Sequence, residues 1–202
     1  GLWGTVAVFA LLQAGSLYAA VQFDRLASGR LQADPIATLQ TLDRLEVYGD
    51  TDYKINLMVN GLRSGSTSDL GTAARCAREL EESGEFNACY SAAAYYYLPL
   101  KQLPSFFQAT RTGLAQEASN PSAWASVFHL YRQAFSQLSA EDMEDFLSGV
   151  VETGAYLEAN NAGRMQPIVL EEADQSFLDL ARSLEGAAPE EAYAALEAAL
   201  AE

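Results

Sequence analysis

Behind its first few dozen residues the chain is cut into short amphipathic segments. Each carries apolar residues three or four apart and ends in a tight turn signal. That punctuation, more than any single motif, limits what the chain can fold into. A period near 3.6 over ten to twenty residues specifies an α-helix with one buried face. No stretch alternates convincingly in the manner of a strand.

The segments can be taken in order. "ADPIATLQTLDRLEVYG" has Asp34 as N-cap, Pro35 at the first helical position and Gly49 as terminator. "DTDYKINLMVNGLRSG" is a short helix capped by Asp50 or Thr51. "STSDLGTAARCARELEESG" is a helix begun by its serines and Asp69 and ended by Gly84, with Leu70, Ala73, Ala74, Ala77 and Leu80 on its apolar side. "EFNACYSAAAYYYLPL" reads as one further helix, with Phe86, Cys89, Ala93, Tyr96 or Tyr97, and Leu100 at helical spacing. "LPSFFQATRTGLAQEAS" has Pro104 in its first turn, and "NPSAWASVFHLYRQAF" has Asn120 as cap and Pro121 first. Trp124, Val127, Phe128, Tyr131 and Phe135 form the inner face of the latter. A longer helix, "SAEDMEDFLSGVVETGAYLEANNAG", starts with acids that complement its dipole. A break around Pro167 precedes two last helices, "EADQSFLDLARSLEG" and "PEEAYAALEAALAE". The expectation is an all-α fold of seven to nine helices. Connections this short favour helical hairpins, and the whole reads as a degenerate tetratricopeptide-like array over residues 24–202.

Composition narrows the function. The chain has 202 residues and a formal charge of -15, with a pI near 4.3. No basic block occurs, which argues against nucleic acid as a partner, because phosphate binding needs a basic stripe. An acidic surface also disfavours docking on anionic lipid. The two cysteines, Cys76 and Cys89, sit among alanines and match neither a CxxC motif nor a zinc pattern. They read as small core residues, or as a bridge if the domain is extracellular. One histidine and two scattered cysteines give no transition-metal site and imply no cofactor.

The front of the chain differs from the rest. Residues 2–23 carry no charge; Asp24 and Arg25 are the first. As a helix this stretch is about 33 Å long, close to a bilayer's hydrocarbon thickness. Trp3 lies near one end, and Tyr18 with Phe23 near the other, as interfacial aromatics do. Three readings are open: a membrane span, a buried soluble helix, or a signal peptide. Length, missing charges and aromatic ends favour the span. The signal peptide is weaker because the run is long and no basic region precedes it. With no initiator Met, the stretch reads as the last span of a longer protein, with residues 1–23 meeting the membrane.

No residue set spells out a reaction. Ser126 and His129 lie three apart on one helical side, but His129 sits between Phe128 and Leu130 and reads as a partly buried structural histidine. No strained nucleophile turn or oxyanion loop is recognisable. "GDTDYK" and "AEDMEDF" read as caps and solvated first turns rather than calcium loops. No catalytic or metal residue is assigned. The conspicuous local feature is "AYYYLPL". Tyr95, Tyr96 and Tyr97 are about 100° apart on a helix, so at least one is buried and at least one is near the surface. These three and Trp124 are the candidate contacts for a partner or a sugar ring, set against core packing.

An uncharged span leads into an acidic helical domain containing "DYKINLMVN", "SAAAYYYLPLKQLPSFFQATRTGLAQEASNPSAWASVFHLYRQAF" and "YLEANNAGRMQPIVL". Together these resemble the C-terminal helical extension of O-antigen ligase or polymerase-like membrane proteins of Gram-positive gut Firmicutes. The resemblance runs from the span to about residue 171, on soft motifs: a Tyr-rich helix, a Trp after a capped turn, and an Asn-containing helix end. It implies a non-catalytic helical domain on the outside of the cell membrane, assisting surface polysaccharide assembly through protein partners or glycan chains. It carries over no catalytic residue, since glycan transfer belongs to the membrane part of that family. The other reading is a membrane-tethered tetratricopeptide-like scaffold for protein partners, unrelated to glycans.

Overall fold

Pro104, Pro121 and Pro189 each stand in the first turn of a helix, where a missing N–H costs nothing and φ is already helical. The computed structural model describes residues 51–201 and scattered positions between 14 and 41. Among the described residues there are eight complete α-helices and no strand. The all-α expectation holds. The chain divides into two compact units, residues 1–80 and 81–202. Of the helix read over "PIATLQTLDRLEVY" only Ala37, Thr38 and Thr41 are described, as helical, with the Ala37 N–H donating to the Asp34 carboxylate at 3.5 Å as a cap would; the rest of it and most of the stretch 1–23 lie outside the described residues. Among the described residues no helix is long and apolar enough to cross a membrane.

In the first unit, α1 spans Thr51–Ser64, and α2 begins at Thr67 and runs to Ser83. Asp69 organises the turn between them. Its carboxylate accepts from the Ser64 and Ser66 hydroxyls, each at 2.6 Å, while Ser66 Oγ accepts from the Asp69 N–H at 3.2 Å. The helices meet closely beside it: a Cβ on Gly61 would lie 2.7 Å from the Asp69 carbonyl and 3.1 Å from Ala73 Cβ. The buried face of α2 is Ala73, Cys76, Ala77 and Leu80. Leu70, expected on that face, is exposed.

Just inside the second unit, Gly84 has a φ of 76° and ends α2 in the left-handed conformation that glycine takes without strain. The next segment departs from expectation. "EFNACYSAAAYYYLPL" is not one helix. A 3-10 turn covers Glu85–Ala88, Cys89 is extended at φ -159°, and α3 then runs Tyr90–Tyr97. Leu98 keeps a helical conformation and still donates to the Ala94 carbonyl, but Pro99 has no N–H to continue the ladder, and α3 stops there. Lys101 follows in a left-handed conformation with φ 54°. Its ammonium is 2.6 Å from the Asp142 carboxylate.

Five longer helices complete the unit: α4 Leu103–Gln116, α5 Pro121–Ala134, α6 Met143–Asn161, α7 Glu172–Ser183 and α8 Pro189–Leu200. Within this unit α3 packs on α4 and α5, α4 on α5 and α6, α5 on α7, α6 on α7 and α8, and α7 on α8. Ser139 and Asp142 form a capping box before α6, on a 3-10 turn at Ala140–Asp142. Burial works against the Asp142 carboxylate, but hydrogen bonds from Lys101 and Ser139 outweigh it and hold its pKa below the ordinary value.

The core of this unit is aromatic. Phe107 stacks edge-on against Tyr131 at 4.8 Å and tilts against Phe146 at 5.8 Å, and Phe146 reaches Phe177 at 6.2 Å. All are buried, each ring contributing about 1.5–3 kcal/mol by leaving water. One polar group sits among them. The Tyr131 hydroxyl is 2.6 Å from Thr110 Oγ1 and 3.2 Å from Thr153 Oγ1. Thr110 also donates to the Phe107 carbonyl, and Thr153 to the Gly149 carbonyl. These contacts use up the three hydroxyl protons and join α4, α5 and α6 through otherwise costly buried polar atoms.

Candidate functional site

The inner face of α5 is Trp124, Val127, Phe128, Tyr131 and, just past its end, Phe135, all buried as the spacing predicts. The opposite face is a polar stripe: Ser122, Ser126, His129 and Gln133 recur at steps of four, three and four and are exposed. His129 is therefore not the partly buried core residue its apolar neighbours suggest. A turn of 100° per residue carries it away from Phe128 and out of the core. Its Nε2 lies 2.8 Å from Gln133 Nε2, so the amide donates to the ring nitrogen.

This stripe is one wall of a cleft of about 420 Å3. The facing wall is the 3-10 turn and the start of α3, Asn87 to Ser91. Glu117 and Asn120, from the α4–α5 connection, complete the lining. Ala88, Ala123 and Leu130 supply apolar surface between the polar groups. No lysine or arginine lines the cleft, and Glu117 is its one carboxylate.

Local structure explains how these residues meet. The turn at Asn87–Tyr90 lies against α4 at Gly113. A Cβ there would come 2.9 Å from the Tyr90 ring and 3.0 Å from the Asn87 amide nitrogen. Glycine at 113 thus sets the depth at which Tyr90 sits. On the other side, the α4–α5 connection is tied down at a single oxygen. The Ala118 carbonyl accepts from Trp124 Nε1 at 3.1 Å, Asn160 Nδ2 at 2.8 Å and Arg164 at 3.2 Å. Arg164 also reaches Ser119 and both oxygens of Asn160. The Trp after the capped turn and the Asn-containing helix end, far apart in sequence, are two parts of one clamp. Asn120 finishes the connection by accepting from the Ser122 N–H at 3.1 Å, a helix cap of the ordinary kind.

Tyr90 is the unusual member. The residue is 8% exposed, and its hydroxyl oxygen is shut off from solvent with the Glu117 carboxylate close by. Burial above all, and the negative charge of Glu117 next, hold the phenol well above its ordinary pKa. It stays protonated at any physiological pH. Cys89, beside it, is half-buried, with its sulfur 3.2 Å from Ser91 Oγ.

The four aromatics singled out in the sequence lie elsewhere. Tyr95 is 40% exposed, while Tyr96 and Tyr97 are buried and meet edge to face at 5.0 Å. The Tyr97 hydroxyl donates to Glu81 at 2.7 Å. Trp124 is fully buried, with Tyr156 5.4 Å away. None of the four lines the cleft. Ser126 and His129 do share it. Among the described residues no group of three or more His, Cys, Asp or Glu side chains is placed to hold a metal ion.

No protein-family model, no curated protein and no solved structure matches the chain.

Proposed function

We propose that this chain is the non-catalytic, extracytoplasmic helical domain of an O-antigen ligase-type membrane protein, which assists surface polysaccharide assembly by holding a ligand at the α3–α5 cleft. The observation that carries the reading is the preformed cleft itself, whose polar walls are fixed by Gly113 on one side and the Ala118 clamp on the other. Its volume falls within the range of small-molecule sites. The packing of α3 on α4 and α5, of α4 on α5 and α6, and of α6 on α7 and α8 supports a tetratricopeptide-like array, although the repeat is degenerate. Leu17, Tyr18 and Val21 are helical and exposed, which supports a tether whose apolar side chains lipid would cover.

Exposed apolar side chains on the connection between α6 and α7, Met165 and Val169, favour the second reading, a tethered scaffold for protein partners. Deletion decides between them. Removing residues 51–202 from the gene should lower the amount or chain length of surface polysaccharide. Unchanged polysaccharide, with loss of a membrane protein partner instead, would overturn the first reading in favour of the second.

A further inference from the structure

We propose that the foot of the tether, at Arg25 and Arg30, receives the phosphate of an anionic phospholipid headgroup. This rests on the tether in the proposed function and gives it a lipid partner with two named contacts.

The charge of the chain is unevenly spread. Before Asp34 there is one acid, Asp24, and there are two arginines, Arg25 and Arg30, in a chain whose formal charge is -15. The acids that disfavour anionic lipid therefore belong to the later segments, and charges more than about 8 Å apart are largely screened at physiological salt. Leu17, Tyr18, Val21, Asp24 and Arg25 are all helical and exposed. At about 100° per residue they share one face, so an apolar stripe runs straight into a charged end. Val21 to Arg25 is about 6 Å along the axis. Lipid that covers Leu17 and Val21 leaves Arg25 at headgroup depth, where a guanidinium on a long stem reaches phosphate.

The backbone brings the second arginine to the same end. The Arg30 N–H donates to the Arg25 carbonyl at 2.8 Å, and the Arg30 guanidinium lies 3.2 Å from the Asp24 carboxylate. With Ala20, Val21 and Asp24 the two arginines line a hollow of about 350 Å3. Its apolar side continues the exposed stripe, and its polar side sets two cations against one carboxylate. The Arg30–Asp24 pair is exposed on both sides, so a phosphate replaces the carboxylate at little cost. Guanidinium groups take phosphate through paired N–H bonds. A soluble phosphate meets the same two groups but leaves Leu17, Tyr18 and Val21 uncovered. That apolar surface is what selects a lipid.

The test is flotation of the 202-residue chain with vesicles of phosphatidylcholine alone, and of equal parts phosphatidylcholine and phosphatidylglycerol, at physiological salt. The chain should partition about tenfold more strongly onto the second composition. Arg25→Gln combined with Arg30→Gln should abolish that preference and leave flotation on phosphatidylcholine largely unchanged. Arg25→Lys with Arg30→Lys should keep the preference, and Asp24→Asn should raise it. Leu17→Ser with Val21→Ser should weaken flotation on both compositions. Excess inorganic phosphate should not release the chain. Equal partition onto the two compositions, a preference that the glutamine pair leaves intact, or release by inorganic phosphate overturns this inference while the tether stands. Flotation with neither composition overturns the tether as well. The wider proposal keeps its own readout in the polysaccharide of the deletion strain, so the two can fail separately.

Discussion

Replacing Gly149 with alanine tests the packing on which the second unit depends. Gly149 lies within α6, where alanine would ordinarily add about 1 kcal/mol of helix stability over glycine. Here the new Cβ would fall inside the Phe107 ring. Phe107 cannot yield cheaply. It is 1% exposed and held by Tyr131, Phe106 and Phe146. The worst case is loss of its packing altogether, about 3–5 kcal/mol for a buried phenylalanine. Subtracting the helix gain leaves a net destabilisation of about 2–4 kcal/mol. In a domain of this size that lowers the unfolding midpoint by roughly 5–15 °C. Urea unfolding followed by Trp124 fluorescence, in a Trp3→Phe background, measures it. The control is Phe107→Leu, which opens room for the methyl group. The double variant should recover about 1–3 kcal/mol relative to the sum of the single variants. A Gly149→Ala protein as stable as its parent, or a penalty that Phe107→Leu leaves untouched, would refute the reasoning.

Three further outcomes follow from the same structure. Burial pushes the Tyr131 phenol up to about 12, against the opposing pull of its threonine hydrogen bonds and of Arg111. A raised value means the folded state holds its proton longer. Stability from this group is therefore complete below pH 10 and falls by about 2–3 kcal/mol as the pH rises through 12. Urea midpoints between pH 9 and 11.5 should drop less steeply in Tyr131→Phe, with Tyr90 accounting for part of the remaining slope. The Asp142 carboxyl is shifted the other way, so its contribution is present above the ordinary carboxylate pKa and is lost as the pH falls through its lower folded value. Asp142→Asn should cost about 1–2 kcal/mol at pH 7, as a lost cap does, and progressively less in acid, measured by thermal unfolding across pH 2–7. Asn160→Ala removes one donor to the Ala118 carbonyl and one acceptor for Arg164, costing about 1–2 kcal/mol. It should also weaken ligand binding at the cleft, by loosening the connection that carries Glu117 and Asn120.

The helices were legible where proline, glycine and caps mark them. Pro121 behind Asn120, and Gly84 behind α2, predict their boundaries because the local chemistry of a helix end is written in those residues. The break at Cys89 was not legible. Neither glycine nor proline stands there, and the turn is set by tertiary contact with α4 at Gly113 rather than by local preference. The same limit hid the cleft. Its walls come from residues 87–91 and 117–133, which periodicity within one helix cannot bring together. The stripe Ser122, Ser126, His129, Gln133 was visible in principle as the polar face of α5. Judging His129 by its immediate neighbours, instead of by its helical angle, concealed it. Tyr90 gave no signal at all, since its burial beside Glu117 is a property of packing. Conspicuous aromatics misdirect for the same reason: Tyr96, Tyr97 and Trp124 are large because the core needs volume.

Residue-resolved mapping tests the central claim most directly. A 15N-labelled chain titrated with chitotriose as a neutral glycan probe should show saturable amide shifts concentrated at Asn87–Ser91 and Glu117–Gln133, with Tyr95 and its neighbours unmoved. Shifts that are absent, or that cluster around Tyr95 or the Met165–Val169 connection, would contradict it.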